Sequence, residues 1–149
     1  MTDPIARLSR APAFLRFAVV GGVGFLVNTA AFWIALNLLH LSKDTAWFVA
    51  FVPAVTFTWW GNRTITFQKY ASSGGRDTLN EWALFAITNG FGAVVNYGVY
   101  EALIHWTPWP LRDPFVALAC GVLTGMAFNF TLSKRLVFRR PLRPSAKQE

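Results

Sequence analysis

Four stretches of this chain carry no charged side chain, and they constrain its fold more than any other feature. They are residues 17–39, 45–61, 82–100 and 114–133. A helix needs about 17–25 mostly apolar residues to cross the roughly 30 Å hydrocarbon core of a bilayer. Only 14% of the side chains are charged, whereas soluble domains carry about 25%. The sequence therefore predicts an all-α membrane protein with four transmembrane helices.

Two glycines in the first stretch invite a different interpretation, that of a dinucleotide-binding loop. Gly22 and Gly24 follow an apolar run, as the glycines of such a loop do. The nucleotide motif needs a third glycine two or three residues later, after a short strand. Phe25, Leu26 and Val27 follow instead, and the apolar run continues. We therefore place both glycines inside a membrane helix.

Most of the basic residues lie before the first and third stretches or after the second and fourth. The loops at 40–44 and 104–113 contain one each, Lys43 and Arg112, whereas the N-terminus, the central loop and the C-terminal end contain the rest. Lys and Arg in short loops stay on the cytoplasmic side of a membrane. We therefore expect a multi-pass protein of the cytoplasmic (inner) membrane whose termini and central loop are cytoplasmic. Cytoplasmic segments 1–12 and 141–149 then flank a four-helix domain at 13–140.

Local signals predict where the later helices begin. Asp113 followed by Pro114 is typical of a helix start, with an N-cap before proline at the first helical position. Thr78 and Glu81 have the spacing of a capping box, which predicts that the third span opens there. The segment between them and the second span, "KYASSGGRD", is typical of a flexible loop.

The chain contains two copies of one helical hairpin, at about residues 14–67 and 82–138. The glycine and asparagine pattern of the first span recurs in the third, and a ridge of small residues in the second recurs in the fourth. The matched positions are Phe17 with Phe85, Gly22 with Gly90, Gly24 with Gly92, Asn28 with Asn96, Ala46 with Ala117, Ala50 with Gly121, Ala54 with Gly125, Thr58 with Asn129, Arg63 with Lys134 and Phe67 with Phe138. Because each copy contains two spans, both enter the membrane in the same orientation, as parallel repeats do.

Small residues spaced four apart form a ridge along one side of a helix. Helices in lipid associate by close packing at such residues. We expect helix packing at six glycines, Gly22, Gly24, Gly90, Gly92, Gly121 and Gly125. Some of these ridges should pack within the chain and at least one between chains, so a homo-oligomer, a dimer or larger, is the expected assembly.

Three polar residues in or beside the spans are candidates for a functional role, Asn28, Asn96 and Glu101. Asn28 and Asn96 lie near the middle of the bilayer at 1.5 Å of rise per residue. Both interhelical hydrogen bonding and contact with a substrate remain open for this pair. Glu101 lies near the outer end of the third span, one turn before His105. For this acid, proton coupling, contact with a substrate sugar and simple access to the interface remain open.

The segments "FLRFAVVGGVGFLVN" at 14–28 and "NFTLSKRLVF" at 129–138 resemble the first and last spans of the GtrA-like family of small four-span membrane proteins. "GNRTITF" at 61–67 is a weaker copy of the second motif, with Thr58 at the position of Asn129. The resemblance covers about residues 13–140. It implies a role in polysaccharide synthesis with polyprenyl-phosphate carriers, and similarity to the membrane domain of some polyprenyl-phosphate glycosyltransferases.

The sequence's own basic residues are compatible with such a carrier, because a lipid phosphate headgroup is anionic and lies at the membrane surface. Basic side chains at the cytoplasmic helix ends can bind lipid phosphate, and two asparagines lie close to them. The expected lipid-phosphate-binding residues are Arg16, Arg63, Lys134, Arg135, Asn62 and Asn129. The alternative is that the basic residues are ordinary topology anchors at the interface.

The resemblance and the residues together leave three functions open. The first is translocation of a polyprenyl-phosphate-linked sugar across the bilayer, and the second is a non-transporting subunit that supplies lipid to a glycosyltransferase partner. The third is a small proton-coupled cation exporter. Against this function, no acidic residue lies deep in any of the four spans. Neither an acidic pair nor a nucleophile with its base appears in the sequence. We therefore expect no catalysis, no metal ion, no cofactor and no nucleic acid partner, but contact with membrane lipids.

Overall fold

The computed structural model of the protein describes residues 11–72 and 74–138. They form four α-helices: α1 at Ala13–Asn37, α2 at Lys43–Gly61, α3 at Gly75–Trp106 and α4 at Pro114–Leu132. No strand occurs within these described ranges, so the predicted all-helical class is confirmed. Most of the predicted segment 1–12 and all of the predicted tail 141–149 lie outside the described residues.

The start of α3 differs from the prediction. The helix begins at Gly75, its N-cap is Gly74, and no side chain caps it. The predicted capping box is therefore wrong: Thr78 lies inside the helix, and the Glu81 carboxylate binds groups on other elements. The preceding segment contains a 3₁₀ turn at Gln68–Tyr70, and its last residues belong to α3. The predicted start of α4 is confirmed, since Asp113 accepts from the backbone N–H groups of its first turn.

The two hairpins have the same construction. Helices α2 and α4 have 19 residues each, and each continues into a π-helical segment of 5 residues, Asn62–Thr66 or Ser133–Val137. The N–H of Phe67 donates to Asn62 O at 2.7 Å, and the N–H of Phe138 donates to Ser133 O at 2.8 Å. The segments occupy equivalent positions in the two copies, so the internal repeat extends to this local backbone feature.

Within each hairpin the helices pack along the small-residue ridge. Ala46, Ala50 and Ala54 of α2 are buried against α1, and Ala117, Gly121 and Gly125 of α4 are buried against α3. Small side chains allow two backbones to approach closely, which is the main source of helix association in lipid.

The hairpins are joined by aromatic rings at one end of the bundle, where α1 and α3 begin and α2 and α4 end. Phe67 stacks on its repeat equivalent Phe138, with 4.6 Å between ring centroids. Phe17 and Phe85 contact this pair edge-on, and Phe130 packs against Phe67. We call this end the basic end, because it also carries most of the described basic residues, among them Arg16, Arg63, Lys134 and Arg135.

The outer surface of the bundle is strongly apolar. Large side chains are directed outward on every helix, among them Phe25 at 68% and Phe115 at 81% exposure. By length and composition, Ala13–Asn37 and Pro114–Val137 could each cross a membrane. An apolar surface of this extent is typical of a protein that contacts lipid.

Candidate functional site

Arg63 is bound by a carboxylate from the other hairpin. Its Nη1 lies 2.5 Å from Glu81 Oε1, and the two side chains are 19% and 4% exposed. The guanidinium also donates to the hydroxyl and the carbonyl oxygen of Ser72, and its Cζ lies 5.6 Å from the centre of the Trp59 ring. Arg63 is therefore directed into the bundle, where its charge is already paired.

Glu81 accepts from three donors, two at the end of α2 and one in the linker. Besides Arg63, the indole Nε1 of Trp59 donates to Oε1 at 3.0 Å, and the backbone N–H of Ser72 donates to Oε2 at 2.8 Å. A carboxylate this deeply buried is tolerated only when it is paired and hydrogen-bonded. The network therefore ties the end of α2, the linker and the start of α3 into one unit.

Arg16 anchors the start of α1 to the end of the same hairpin. Its Nη1 donates to Ile65 O, in the first π segment, at 2.8 Å. The Nε of Arg16 is buried, and it has no hydrogen-bond partner among the described residues. One side of this guanidinium thus supports the backbone, and the Nε side has no partner within residues 11–72 and 74–138.

Lys134 and Arg135 lie on the surface of the second π segment, where both are exposed. Lys134 is the repeat equivalent of Arg63. No salt bridge joins Lys134 to a carboxylate within residues 11–72 and 74–138. The two copies of the repeat therefore present their basic residue differently, one paired inside the bundle and one facing outward.

The two asparagines near these basic residues differ in their hydrogen bonding. Asn62 is 1% exposed; its Nδ2 donates to Thr58 O at 2.9 Å, and its Oδ1 accepts from Thr66 Oγ1 at 2.8 Å. Its amide therefore supports the first π segment. Asn129 Oδ1 is buried with no hydrogen-bond partner in the described part of the chain, and the Asn129 side chain lies directly against Gly92.

Four of the six predicted packing glycines contact the neighbouring helix of their own hairpin. A Cβ added at Gly24 would meet Thr58, and one at Gly92 would meet Asn129, which are matched pairs of the repeat. Added Cβ atoms at Gly121 and Gly125 would lie 2.6 Å and 2.8 Å from backbone oxygens of α3. At Gly22 and Gly90 an added Cβ would meet nothing within 4 Å.

The predicted intramembrane polar residues lie away from the basic end. Asn96 borders Gly121 and Gly125 in the α3–α4 interface, and its repeat equivalent Asn28 is half-buried. Glu101 Oε2 lies 3.2 Å from His105 Nε2, and its side chain is 38% exposed. No group of three potential metal-ligating side chains occurs among the described residues.

Sequence reasoning missed the residues that surround Arg63, namely Trp59, Ser72 and Glu81. Glu81 was interpreted as a helix cap because its spacing from Thr78 fits that local motif. One signal pointed elsewhere, since Glu81 is the acid that directly precedes the third uncharged stretch. An acid at that depth needs a cationic partner, and Arg63 ends the preceding span.

Comparison with known proteins gives consistent matches over nearly the whole chain. The family model described as "GtrA/DPMS, transmembrane domain" matches residues 16–138. A bactoprenol-linked glucose translocase of Shigella phage SfV is 26% identical over 127 residues, which cover 85% of this chain and 94% of that protein. Two cell wall teichoic acid glycosylation proteins named GtcA are also similar. The Listeria monocytogenes protein is 22% identical, covering 83% of this chain and 82% of its own length. The Listeria innocua protein is 21% identical, covering 85% of each chain.

Proposed function

The chain belongs to the GtrA/DPMS transmembrane domain family, and we propose that it binds a polyprenyl-phosphate-linked sugar and moves it across the bilayer for cell-surface polysaccharide synthesis. The observation that carries the proposal is the match to a bactoprenol-linked glucose translocase over 94% of that protein's length. The match therefore extends over nearly the whole of that relative and is not confined to a fragment of it. It also agrees with the family predicted from the sequence motifs.

The proposal includes four membrane spans, formed by α1 to α4, in the cytoplasmic membrane with both termini cytoplasmic. The uncharged stretches and the distribution of basic residues support this arrangement. The basic end of the bundle is then the cytoplasmic end. With α3 at 32 residues, or about 48 Å at 1.5 Å per residue, its first turns extend beyond the hydrocarbon core on that side.

This topology can be tested by cysteine labelling in cells. In a Cys120→Ser background, Ser42→Cys and Thr107→Cys should react with a membrane-impermeant maleimide added outside. Gln68→Cys should react only after the membrane is permeabilised, because the central loop is cytoplasmic. Labelling of Gln68→Cys in intact cells would contradict the orientation.

The proposed contact with the lipid phosphate is made at the basic end. Among the predicted residues Arg16, Arg63, Lys134, Arg135, Asn62 and Asn129, the surface residues Lys134 and Arg135 are the ones best placed to meet a headgroup. Arg63 and Asn62 support the site from within, since their polar groups are bound inside the bundle. Arg16 and Asn129 each retain a buried polar atom without a partner in the described residues.

Loss of Lys134 should weaken binding of the lipid about tenfold or more. A charge-assisted contact is worth roughly 1.5–3 kcal/mol, and 1.4 kcal/mol corresponds to a factor of ten. The measurement compares binding of a polyprenyl monophosphate to the wild type, Lys134→Gln and Lys69→Gln in lipid nanodiscs. Lys69→Gln is the matched control, because it removes an exposed charge from the central loop. Equal losses of lipid affinity in both variants would mean that Lys134 acts through general electrostatic attraction and makes no specific contact with the phosphate.

A second function is favoured by the names of two relatives, which are called glycosylation proteins. In this alternative the chain holds the lipid carrier for a separate glycosyltransferase, without transporting it. Purified protein in vesicles with a fluorescent polyprenyl-phosphate-linked glucose distinguishes the two. Translocation predicts that labelled lipid from the inner leaflet moves to the outer leaflet, where the external quencher reaches it. The rate of this movement should be lower in Lys134→Gln. Binding without any change in leaflet distribution would support the non-transporting subunit.

A further inference from the structure

The internal repeat makes two interfaces at the basic end equivalent to each other. In the first, the end of α2 lies against the start of α3, and Arg63 binds Glu81 there. In the second, the end of α4 lies against the start of α1, where the ring of Phe130 packs 5.4 Å from that of Phe14. The repeat therefore gives each interface a basic residue on one helix end and a helix start opposite it.

The residues at these equivalent positions differ in one important respect. Lys134 corresponds to Arg63, and because Phe17 corresponds to Phe85, the position equivalent to Glu81 is Ala13. The first interface thus contains a cation together with its own carboxylate. The second contains an exposed cation, and the helix start at the equivalent place supplies no carboxylate.

We propose, resting on the function above, that the phosphate of a lipid headgroup binds Lys134 beside Ala13, at the place equivalent to that of the Glu81 carboxylate. Carboxylate and phosphate oxygens accept the same charge-assisted hydrogen bonds from basic side chains. Helix α1 begins there without a side-chain cap. Its first N–H groups therefore add donors and a positive dipole end to the site.

The apolar side chains around this site favour a lipid, and not a free ion, as the source of the phosphate. Phe14 and Leu15, next to Ala13 in the first turn of α1, are 40% and 51% exposed. Exposed apolar side chains beside a basic residue are suited to a headgroup whose hydrocarbon chain continues into the bilayer. A free phosphate ion gains nothing from this apolar surface.

The test is to give the second interface the carboxylate that it lacks. In Ala13→Glu, the new carboxylate should pair with Lys134 and compete with the headgroup, so polyprenyl monophosphate in nanodiscs should bind about tenfold more weakly. Glutamate suits the first turn of a helix, so the variant should fold. Ala13→Gln has nearly the same size without the charge and should bind like the wild type. Ala11→Glu adds the same charge two positions earlier and should have a much smaller effect.

The outcomes separate this site from the proposed function. If the wild type binds the lipid and Ala13→Glu binds as well as Ala11→Glu, the site is wrong although the function stands. If the wild type does not bind the lipid at all, both are wrong. Millimolar inorganic phosphate should not displace the lipid; displacement would assign the site to free phosphate and overturn the lipid headgroup as its ligand.

Discussion

Replacement of Arg63 by alanine should lower the free energy of unfolding by about 3–5 kcal/mol, because it leaves a buried carboxylate without its cation. The Glu81 side chain is 4% exposed, and in the variant it keeps only the neutral donors of Trp59 and Ser72. The loss should appear in equilibrium unfolding of the purified protein in mixed micelles, followed by circular dichroism.

The repeat supplies the control for this prediction. Lys134→Ala removes the equivalent basic residue from the surface, where substitutions usually change stability by about 0.5 kcal/mol or less. The double variant Arg63→Ala/Glu81→Ala should be more stable than Arg63→Ala, because it removes the unpaired charge as well. Equal losses for Arg63→Ala and Lys134→Ala would show that the ion pair is not the source of the stability.

The same contrast bears on how lipid-binding data are interpreted. An Arg63 variant that loses lipid binding will also have lost the network that joins α2, the linker and α3. Its binding defect therefore combines a local and a structural effect. Lys134 variants avoid this difficulty, because the Lys134 side chain lies on the surface.

The helices and their pairing could be predicted because they follow from local chemistry. An uncharged stretch long enough to cross a bilayer specifies a helix, and Asp113 with Pro114 specifies where α4 begins. The matched small residues also predicted packing surfaces, since spacing of four places them on one side of a helix. Each inference needs only residues near one another in sequence.

The surroundings of Arg63 could not be predicted in this way, because they are assembled from distant parts of the chain. Trp59, Ser72 and Glu81 lie on α2, on the linker and on α3. Locally, Glu81 fits a capping box as well as it fits an ion pair. Only the packing of the two hairpins, through Phe67 and Phe138, brings these groups together.

The π segments were missed for a related reason. Nothing in the local sequence distinguishes "NRTIT" and "SKRLV" from a continuation of the α-helix. In the structure the change in hydrogen bonding ends each helix just before Phe67 or Phe138, and these two rings stack on each other. Inserted wider turns of this kind occur frequently at functional sites, and both basic residues of the repeat lie in them.

The glycine ridge of α4 gives the second large effect, and it follows from which atoms the added methyl groups would meet. In Gly121→Ala/Gly125→Ala, the new Cβ atoms would lie 2.6 Å and 2.8 Å from backbone oxygens of Asn96 and Gly92. A backbone atom cannot rotate away as a side chain can, so α3 and α4 must separate. Overpacking of a tight interface costs about 1–3 kcal/mol per site, and the two sites share Asn96, so their effects need not add.

The matched control is Gly22→Ala/Gly90→Ala, since an added Cβ meets nothing within 4 Å at either position. Alanine favours a helix over glycine by about 0.5–1 kcal/mol per residue, so this variant should be as stable as the wild type or more so. Unfolding and the oligomeric state should be measured together in mild detergent. A stable Gly121→Ala/Gly125→Ala monomer from a wild-type oligomer would mean that the ridge packs between chains, contrary to the contacts with α3. Loss of stability at unchanged assembly is expected, because both glycines are already buried inside their own hairpin.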